Sequence, residues 1–405
     1  MLLLLGSVIA ASARAAPAGP TTSDARAAPS ELTAVPIVDG NSDIGFGGGY
    51  IVSYARVPEG YDPYLWRLES AGFVTFKSAA DGGVRVPLFD DYVWLHFPHV
   101  IKDKLELRLR VSYTRETNLK FAGLGNASQL VPGLSTSDGY YEHSRDHPAA
   151  RFIALYHVSD ALDVTWGASY TYNWITVPRS TLLAATMRGG SAYERHVLGA
   201  AADHGSAQFS FGAAFDTRDS YVNSWRGAYL MVRADLAPGG VPAMPYSYAR
   251  VTSAGSAFVP LVPARLLFAA HAAADFLLGD APFYELPRYD DIYFGGPWGI
   301  RGVPGQRYWG KVKALANLEL RSELLAFRFW NKRNVFGVTA FFDSGRVWTD
   351  YTSHPDLDGT ALGLKFGTGA GLRLIAGSSF VLRLDVAYSP DAHPYGIYLT
   401  SGQTF

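Results

Sequence analysis

The chain has 405 residues, a formal net charge of −1 and no cysteine, and charged residues make up 18% of it. A near-neutral chain gives no electrostatic reason to expect binding to nucleic acid, and the lack of cysteine excludes disulfides and thiolate metal sites. The charged content is below the roughly 25% of soluble domains, and the absence of cysteine fits an exported protein without requiring one.

The N-terminus has the pattern of an export signal. An apolar run over residues 1–11 precedes a small-x-small cleavage pattern at 13–15, although the basic region that normally begins such a signal is missing. The run is shorter than the ~20 residues of a transmembrane helix. We therefore predict a signal peptide over residues 1–15, a disordered leader over 16–30 and a single domain over 31–405.

Alternation of apolar and polar residues is the main structural signal in the rest of the chain. In residues 105–114, three leucines, a valine and a tyrosine share one face, while charged and hydroxyl residues share the other. Residues 164–174, 362–374 and 380–388 repeat the pattern. A soluble β-sandwich also alternates. Strands longer than the usual ~5–6 residues, aromatic residues near strand ends and apolar faces without charge favour a membrane barrel.

These segments predict an all-β fold, a single 16-stranded antiparallel transmembrane β-barrel with one long loop folded inward. The predicted strands are 31–38, 43–55, 65–78, 88–98, 104–117, 150–158, 162–175, 206–216, 227–237, 246–259, 263–277, 310–325, 334–346, 361–375, 379–389 and 395–405. Connections after even-numbered strands are mostly short and several after odd-numbered strands are long, with 217–226 as an exception. This arrangement is typical of the bacterial outer membrane, whose lipid would then surround the barrel.

The inward loop is predicted from residues 294–310, where glycine, proline and aromatic residues exclude a long helix or a strand interior. Arg301 lies in its middle, and Gly302 permits a tight turn beside it. Alternation in the next two strands turns Glu319 and Asp343 towards the lumen. A guanidinium can bridge two carboxylates through bidentate hydrogen bonds. The alternative is a solvated loop arginine above carboxylates that line a water-filled pore.

Six segments have motif-like patterns in a fixed order along the chain. They are FAGLGNAS at 121–128, Asp216-Thr217-Arg218-Asp219 followed by Arg226-Gly227, Ile300-Arg301-Gly302-Val303, Asn317-Leu318-Glu319-Leu320-Arg321, Phe341-Phe342-Asp343-Ser344-Gly345-Arg346-Val347-Trp348, and GIYLTSGQTF ending in Phe405. They resemble six motifs of the BamA/TamA-type outer-membrane assembly barrels. In the same order, these are an outer-loop motif, D-x-R-D, V-R-G-F/Y, a strand that carries a glutamate, F-x-D-x-G-x-V-W and a terminal assembly signal. These barrels are also called the bacterial surface antigen family.

The resemblance implies that a loop lock forms, in which Arg301 docks against Glu319, Phe341 and Asp343. It also implies a non-enzymatic barrel that assists insertion or translocation of proteins or lipids at the outer membrane. The clients would be outer-membrane proteins or lipids, and the periplasmic partner is unknown. Two features depart from the family: Val303 replaces an aromatic residue, and the sequence is a short member without the POTRA repeats that receive clients.

The resemblance further implies a barrel that opens between its first and last strands. Pro36 in the first predicted strand cannot donate a ladder hydrogen bond, which would weaken a seam between 31–38 and 395–405. The alternative is that this proline only marks the start of the strand.

The remaining candidates for chemistry are weak. The sequence has no G-x-S-x-G motif, no nucleophile–base pair and no histidines at metal-binding spacing, so we expect no enzyme, metal or cofactor. The acidic pairs at 90–91 and 290–291 are interpreted as solvated acids of outer turns rather than cation ligands. Glu106, Arg108 and Arg110 either line a channel or form a structural network in the lumen.

A passive or gated pore for small solutes is the alternative function. Arg108, Arg110, Lys365 and Arg373 would then set its selectivity.

Overall fold

The structure is a computed structural model that describes residues 30–79, 82–101, 104–134, 138–329, 332–352, 354–377, 380–391 and 395–405. The predicted signal peptide and all of the predicted leader except Ser30 lie outside the described residues. Everything below concerns the described residues.

Sixteen antiparallel strands close into a barrel in these ranges, and each of them pairs with its neighbours in sequence. A further two-residue strand, Val84–Arg85, pairs with Lys77 and Ser78. The strands are β1 Ser30–Asn41, β2 Gly45–Arg56, β3 Trp66–Ser78, β4 Leu88–Ile101, β5 Leu105–Lys120, β6 Glu142–His157, β7 Leu162–Thr176, β8 His204–Asp216, β9 Gly227–Ala237, β10 Tyr248–Val262, β11 Leu266–Gly279, β12 Val312–Phe329, β13 Lys332–Trp348, β14 Lys365–Ala376, β15 Phe380–Tyr388 and β16 Gly396–Ser401. The last strand pairs with the first, which closes the barrel. The predicted fold class is confirmed.

The two faces of the sheet differ as the alternation predicts. Outward-facing apolar side chains are exposed, among them Leu318, Leu320, Phe342, Leu372, Leu384 and Val386. Their polar neighbours along the same strands are buried inside, among them Asn317, Glu319, Arg321, Asp343, Arg373 and Asp385. The outer surface can face lipid because its side chains are apolar, and a charge there would be costly at mid-membrane. The charged side chains of the lumen must instead be paired inside the barrel.

Three short helices lie in the long connections. They are α1 Leu182–Gly189 and α2 Ala192–Leu198 between β7 and β8, and α3 Pro355–Asp358 between β13 and β14. The Thr181 side chain caps α1, and Ser191 forms a capping box with Glu194 at the start of α2. No helix in the described ranges is long and apolar enough to cross a membrane.

The largest difference from the predicted strand boundaries is at the start of β6, and four-residue differences occur at the end of β12, the start of β14 and the end of β16. β6 begins at Glu142 instead of 150, because its first residues, EHSRDHPA, are polar on both faces and give no alternation signal. β16 ends at Ser401 instead of 405. Gly402 has a positive φ of 85°, so the last residues can turn away from the barrel wall.

The long connection between β11 and β12 folds into the barrel. It contains one turn of 3₁₀ helix at Phe283–Glu285 and a small hairpin that pairs Arg288–Tyr289 with Ile292–Tyr293. Its apolar residues are buried against the inner wall and one another, namely Tyr289, Phe294, Ile300, Val303 and Tyr308. A second cluster joins this connection to the outer loops and helices, and it contains Phe121, Leu124, Leu183, Leu198, Phe283 and Trp309.

Candidate functional site: the Arg301 lock and the seam

Arg301 lies at the centre of a buried charge cluster inside the barrel. Its Nε and Nη2 donate to the two carboxylate oxygens of Asp343 at 2.7 and 2.8 Å. Its Nη1 donates to Glu319 Oε1 at 2.6 Å. The guanidinium also lies 3.5 Å from the centre of the Phe341 ring. The structure thus brings together the residues of the predicted loop lock.

The contribution of these ion pairs to the stability of the barrel depends on how deeply they are buried. The side chains of Arg301, Glu319 and Asp343 are 0% exposed. Each ion has given up its water, and that cost is offset only where the geometry is good and the remaining polar atoms are bonded. The lock meets this condition, because Glu319 Oε2 also accepts a hydrogen bond from Arg321 Nε at 2.7 Å. Loss of one partner would leave a buried charge without compensation.

The cluster contains further residues that the sequence reasoning did not place there. Asp385 on β15 accepts a hydrogen bond from Arg301 Nη1 at 3.3 Å, and it also pairs with Arg373. Thr404 accepts from Arg301 at 3.1 Å and donates to Glu319 at 2.9 Å. Alternation along β15 could have indicated Asp385, since it shares a polar face with Arg383. Thr404 lies beyond the end of β16, so its contact with Arg301 depends on the turn after Ser401, which the predicted strand 395–405 did not include.

The loop beside Arg301 touches both edges of the seam between β1 and β16. Gly302 N donates to the hydroxyl of Tyr398 on β16 at 2.8 Å. Gly305 N donates to Asp43 in the turn after β1 at 3.0 Å. Gly302 has a φ of +91°, which a residue with a Cβ rarely adopts. The inward loop therefore spans the seam from inside.

The segment with the D-x-R-D pattern forms the turn between β8 and β9. Asp216 accepts hydrogen bonds from the Arg218 guanidinium, and Asp219 accepts from the backbone N–H groups of Trp225 and Arg226. Gly227 has a φ of +98°, and a Cβ there would overlap the Thr217 carbonyl. These contacts give the turn a fixed shape at the end of the barrel where the chain terminates.

The C-terminal residues contact that turn and then enter the lumen. Gln403 donates to Asn223 in the turn at 2.9 Å. The Phe405 ring stacks on His271, with 5.1 Å between ring centres, and lies near the Arg321 guanidinium. Phe405, the predicted assembly signal, therefore lies inside the barrel once the chain has folded.

The acidic pairs at 90–91 and 290–291 are not the solvated outer turns that the sequence suggested. Residues 90–91 lie within β4, and Asp90 is buried and accepts a hydrogen bond from Thr114. Asp290 and Asp291 lie in the inward hairpin, where Asp290 pairs with Arg233 and Asp291 with Arg151. The sequence interpretation was wrong because an aspartate pair does not reveal whether its loop turns inward.

Comparison with known proteins identifies the family. The Omp85 superfamily domain matches residues 96–405, most of the chain. The chain belongs to the Omp85 superfamily. Its members are non-enzymatic transporters or insertases of the bacterial outer membrane, where they handle protein or lipid clients, and this barrel is accordingly an outer-membrane protein. A search of curated proteins finds no match.

Solved structures with the same fold include other Omp85 barrels. BamA from Haemophilus ducreyi lacking POTRA domains 1–3 aligns over 92% of this chain and 70% of its own, with a TM-score of 0.60 and 15% identity. CdiB from Escherichia coli aligns over 95% and 64%, with a TM-score of 0.57 and 12% identity. CdiB from Acinetobacter baumannii aligns over 92% and 60%, with a TM-score of 0.51 and 11% identity. The chain thus spans less than two thirds of either CdiB chain.

Proposed function

We propose that this barrel assists the insertion or translocation of protein or lipid clients at the outer membrane by separating β1 from β16. The observation that carries the proposal is the short pairing at this seam. In the described residues, β1 and β16 pair Gly40 with Leu399 and Asn41 with Tyr398. By contrast, the other edge of β1 pairs with β2 along its whole length, from Ser30 to Asn41.

The rest of the β1 edge is exposed. Residues 31–36 are exposed on both faces of the strand, and Leu32 is 73% exposed. An unpaired strand edge offers N–H and C=O groups on which another strand can pair. Because the residues after Ser401 turn into the lumen, no described strand pairs with this edge of β1 between Ser30 and Asp39. Pro36 lies in this part, and its missing N–H weakens any ladder there.

The inward loop supports control of the seam. Its Gly302 bonds to β16 and its Gly305 bonds to the turn after β1, so both edges are attached to one segment. Arg301 anchors this segment to β12, β13 and β15. Separation of the edges would break few ladder hydrogen bonds, and the lock would keep the rest of the barrel closed. The seam could then thin the nearby bilayer without any bond-making chemistry.

A reversible disulfide across the seam tests the proposal. Ser42 N donates to the Ile397 carbonyl at 3.0 Å, so Ser42→Cys with Ile397→Cys places two thiols on facing residues. The chain has no cysteine of its own. The matched control is Leu384→Cys with Leu399→Cys, because these residues face each other on β15 and β16.

The assay is the folding of a urea-denatured, eight-stranded outer-membrane barrel into liposomes that contain the purified protein. We expect the protein to accelerate client folding. Oxidation of the 42/397 pair should abolish the acceleration, a reductant should restore it, and oxidation of the 384/399 pair should leave it intact. Unchanged acceleration in the oxidised 42/397 protein would reject seam opening. A large, steady conductance in planar bilayers without any acceleration would favour the pore instead.

A further inference from the structure

A cavity of about 80 Å³ lies inside the barrel beside the inward loop. Six arginines line it: Arg110, Arg145, Arg151, Arg233, Arg250 and Arg288. Three carboxyl groups line it as well: Asp235, Glu285 and Asp291. The side chains of its wall therefore have an excess of positive charge, part of which is balanced by Asp290 and Asp275 behind the wall, which pair with Arg233 and Arg250.

Two of these arginines face each other on neighbouring strands. Arg110 on β5 and Arg151 on β6 are directly opposite in the strand register, and both line the cavity. Like charges at facing positions of a sheet repel each other and destabilise it. Arg151 is compensated, because its Nη1 donates to Asp291 at 2.9 Å. The pair as a whole still has one more positive charge than negative.

Arg110 is the uncompensated member. Its Nε and Nη2 are buried and have no hydrogen-bond partner in the described part of the chain. Its guanidinium carbon lies over the face of the Tyr92 ring, 4.3 Å from the ring centre. Asp90 on the adjacent strand attracts Arg110 electrostatically, but it accepts a hydrogen bond from Thr114 and lies beyond ion-pair distance of Arg110 among the described residues. Arg110 is half-buried, and its two buried N–H groups without partners are costly, so a bound anion that accepted from them would offset that cost.

We propose that the cavity binds a phosphate group through Arg110 and Arg151. Each guanidinium presents a planar fork of N–H donors that matches the oxygens of a phosphate, and two opposed forks can share one such group. The phosphate would replace the repulsion between the two arginines with attraction to both. The site is separate from the Arg301 lock and does not depend on the proposed handling of clients.

The phosphate group enters from the periplasmic side. Tyr248 and Tyr284 line the cavity and also belong to the apolar cluster that joins the inward loop to the outer loops. This cluster covers the cavity at its outer end. Two compounds could supply the group, a small phosphate compound of the periplasm or a phospholipid headgroup, and the experiment separates them.

The first test measures the unfolding temperature of the full barrel in detergent, in inorganic phosphate and in sodium chloride of equal ionic strength. We expect phosphate to raise the unfolding temperature of the wild-type protein by a few degrees over chloride. Arg110→Gln should abolish this rise. Arg115→Gln is the matched control, because Arg115 is exposed on the same strand, and it should keep the rise.

The second test replaces phosphate with phosphatidylglycerol in mixed micelles, compared with phosphatidylcholine. If inorganic phosphate raises the unfolding temperature and the rise depends on Arg110, the site binds small phosphate compounds. If only phosphatidylglycerol raises the unfolding temperature, the site binds a phospholipid headgroup. The proposal is overturned if neither compound stabilises the wild type, or if Arg110→Gln and wild type respond equally. Arg110→Gln should also unfold no lower than wild type in chloride, since it removes the repulsion. A lower value would contradict the proposal.

Discussion

Arg301 and Asp343 are joined by two parallel side-chain hydrogen bonds of 2.7 and 2.8 Å and by a third, from the backbone N–H of Arg301, at 3.0 Å. One carboxylate thus fixes both the side chain and the main chain of the loop residue. Because both side chains are fully buried, no water can replace either partner. The position of the inward loop therefore depends on a small number of charged residues.

Removal of the central cation tests this dependence. Arg301→Ala is expected to destabilise the folded barrel by about 3–5 kcal/mol, because Glu319 and Asp343 would remain buried without their shared partner. The measurement is thermal unfolding in detergent, followed by circular dichroism and by heat-modifiable migration in gels. Arg226→Ala, on an exposed turn, is the control and should unfold near the wild-type temperature. Identical unfolding of Arg301→Ala and wild type would contradict this account of the lock.

A double-mutant cycle tests whether Arg301 and Asp343 act as a pair. The double mutant Arg301→Ala with Asp343→Ala should lose less free energy of unfolding than the two single mutants together, by roughly 1–3 kcal/mol. The reason is that either single change already breaks the shared hydrogen bonds. Chemical unfolding of the four proteins in detergent gives the free energies. Arg301→Ala combined with Asp216→Ala is the comparison, since Asp216 pairs with Arg218 in a turn, and that cycle should be additive. Additivity in the first cycle would mean that the two residues do not interact.

A glycine on β14 tests how tightly the loop packs against the wall. A Cβ at Gly367 would overlap the backbone oxygen of Arg301. Gly367→Ala should therefore displace the loop, and trypsin should then cleave after Arg301, which is buried in the wild type. Gly255→Ala on β10 is the matched control, because its Cβ would meet its neighbours at ordinary distances from 3.5 Å. Protection of Arg301 in Gly367→Ala would show that the loop can adjust without leaving the wall.

The C-terminal residue tests the predicted assembly signal. Phe405→Ala should lower the amount of folded barrel in the outer membrane of expressing cells, if the assembly machinery reads the terminal aromatic residue. Refolding of the purified chain in detergent should change much less. Thr404→Val keeps Phe405 but removes hydrogen bonds to Arg301 and Glu319, so it should affect stability in detergent instead. A normal amount of folded Phe405→Ala barrel in the outer membrane would show that Phe405 is not part of the assembly signal.

The amino-acid sequence by itself determined the barrel. Side chains on a strand alternate between two faces, so the pattern of apolar and polar residues predicts the strands, their number and the sides on which Glu319 and Asp343 lie. The glycine and proline content of 294–310 likewise excludes a regular element. These are local properties, and they can be read without knowledge of distant contacts. The pattern failed at 142–149, where both faces of the strand are polar.

The tertiary structure decided which distant groups meet. Asp385 and Thr404 join Arg301 only because the closed barrel brings β15 and the chain terminus to the same side of the lumen. The pairing between β1 and β16 is short because the chain leaves the barrel wall after Ser401. The sequence does not reveal this point, since the alternation of the last strand continues past it. The opposition of Arg110 and Arg151 depends on strand register, which turns and long-range pairing set together. Local periodicity assigns a face to each residue, but only the closed sheet assigns its neighbours.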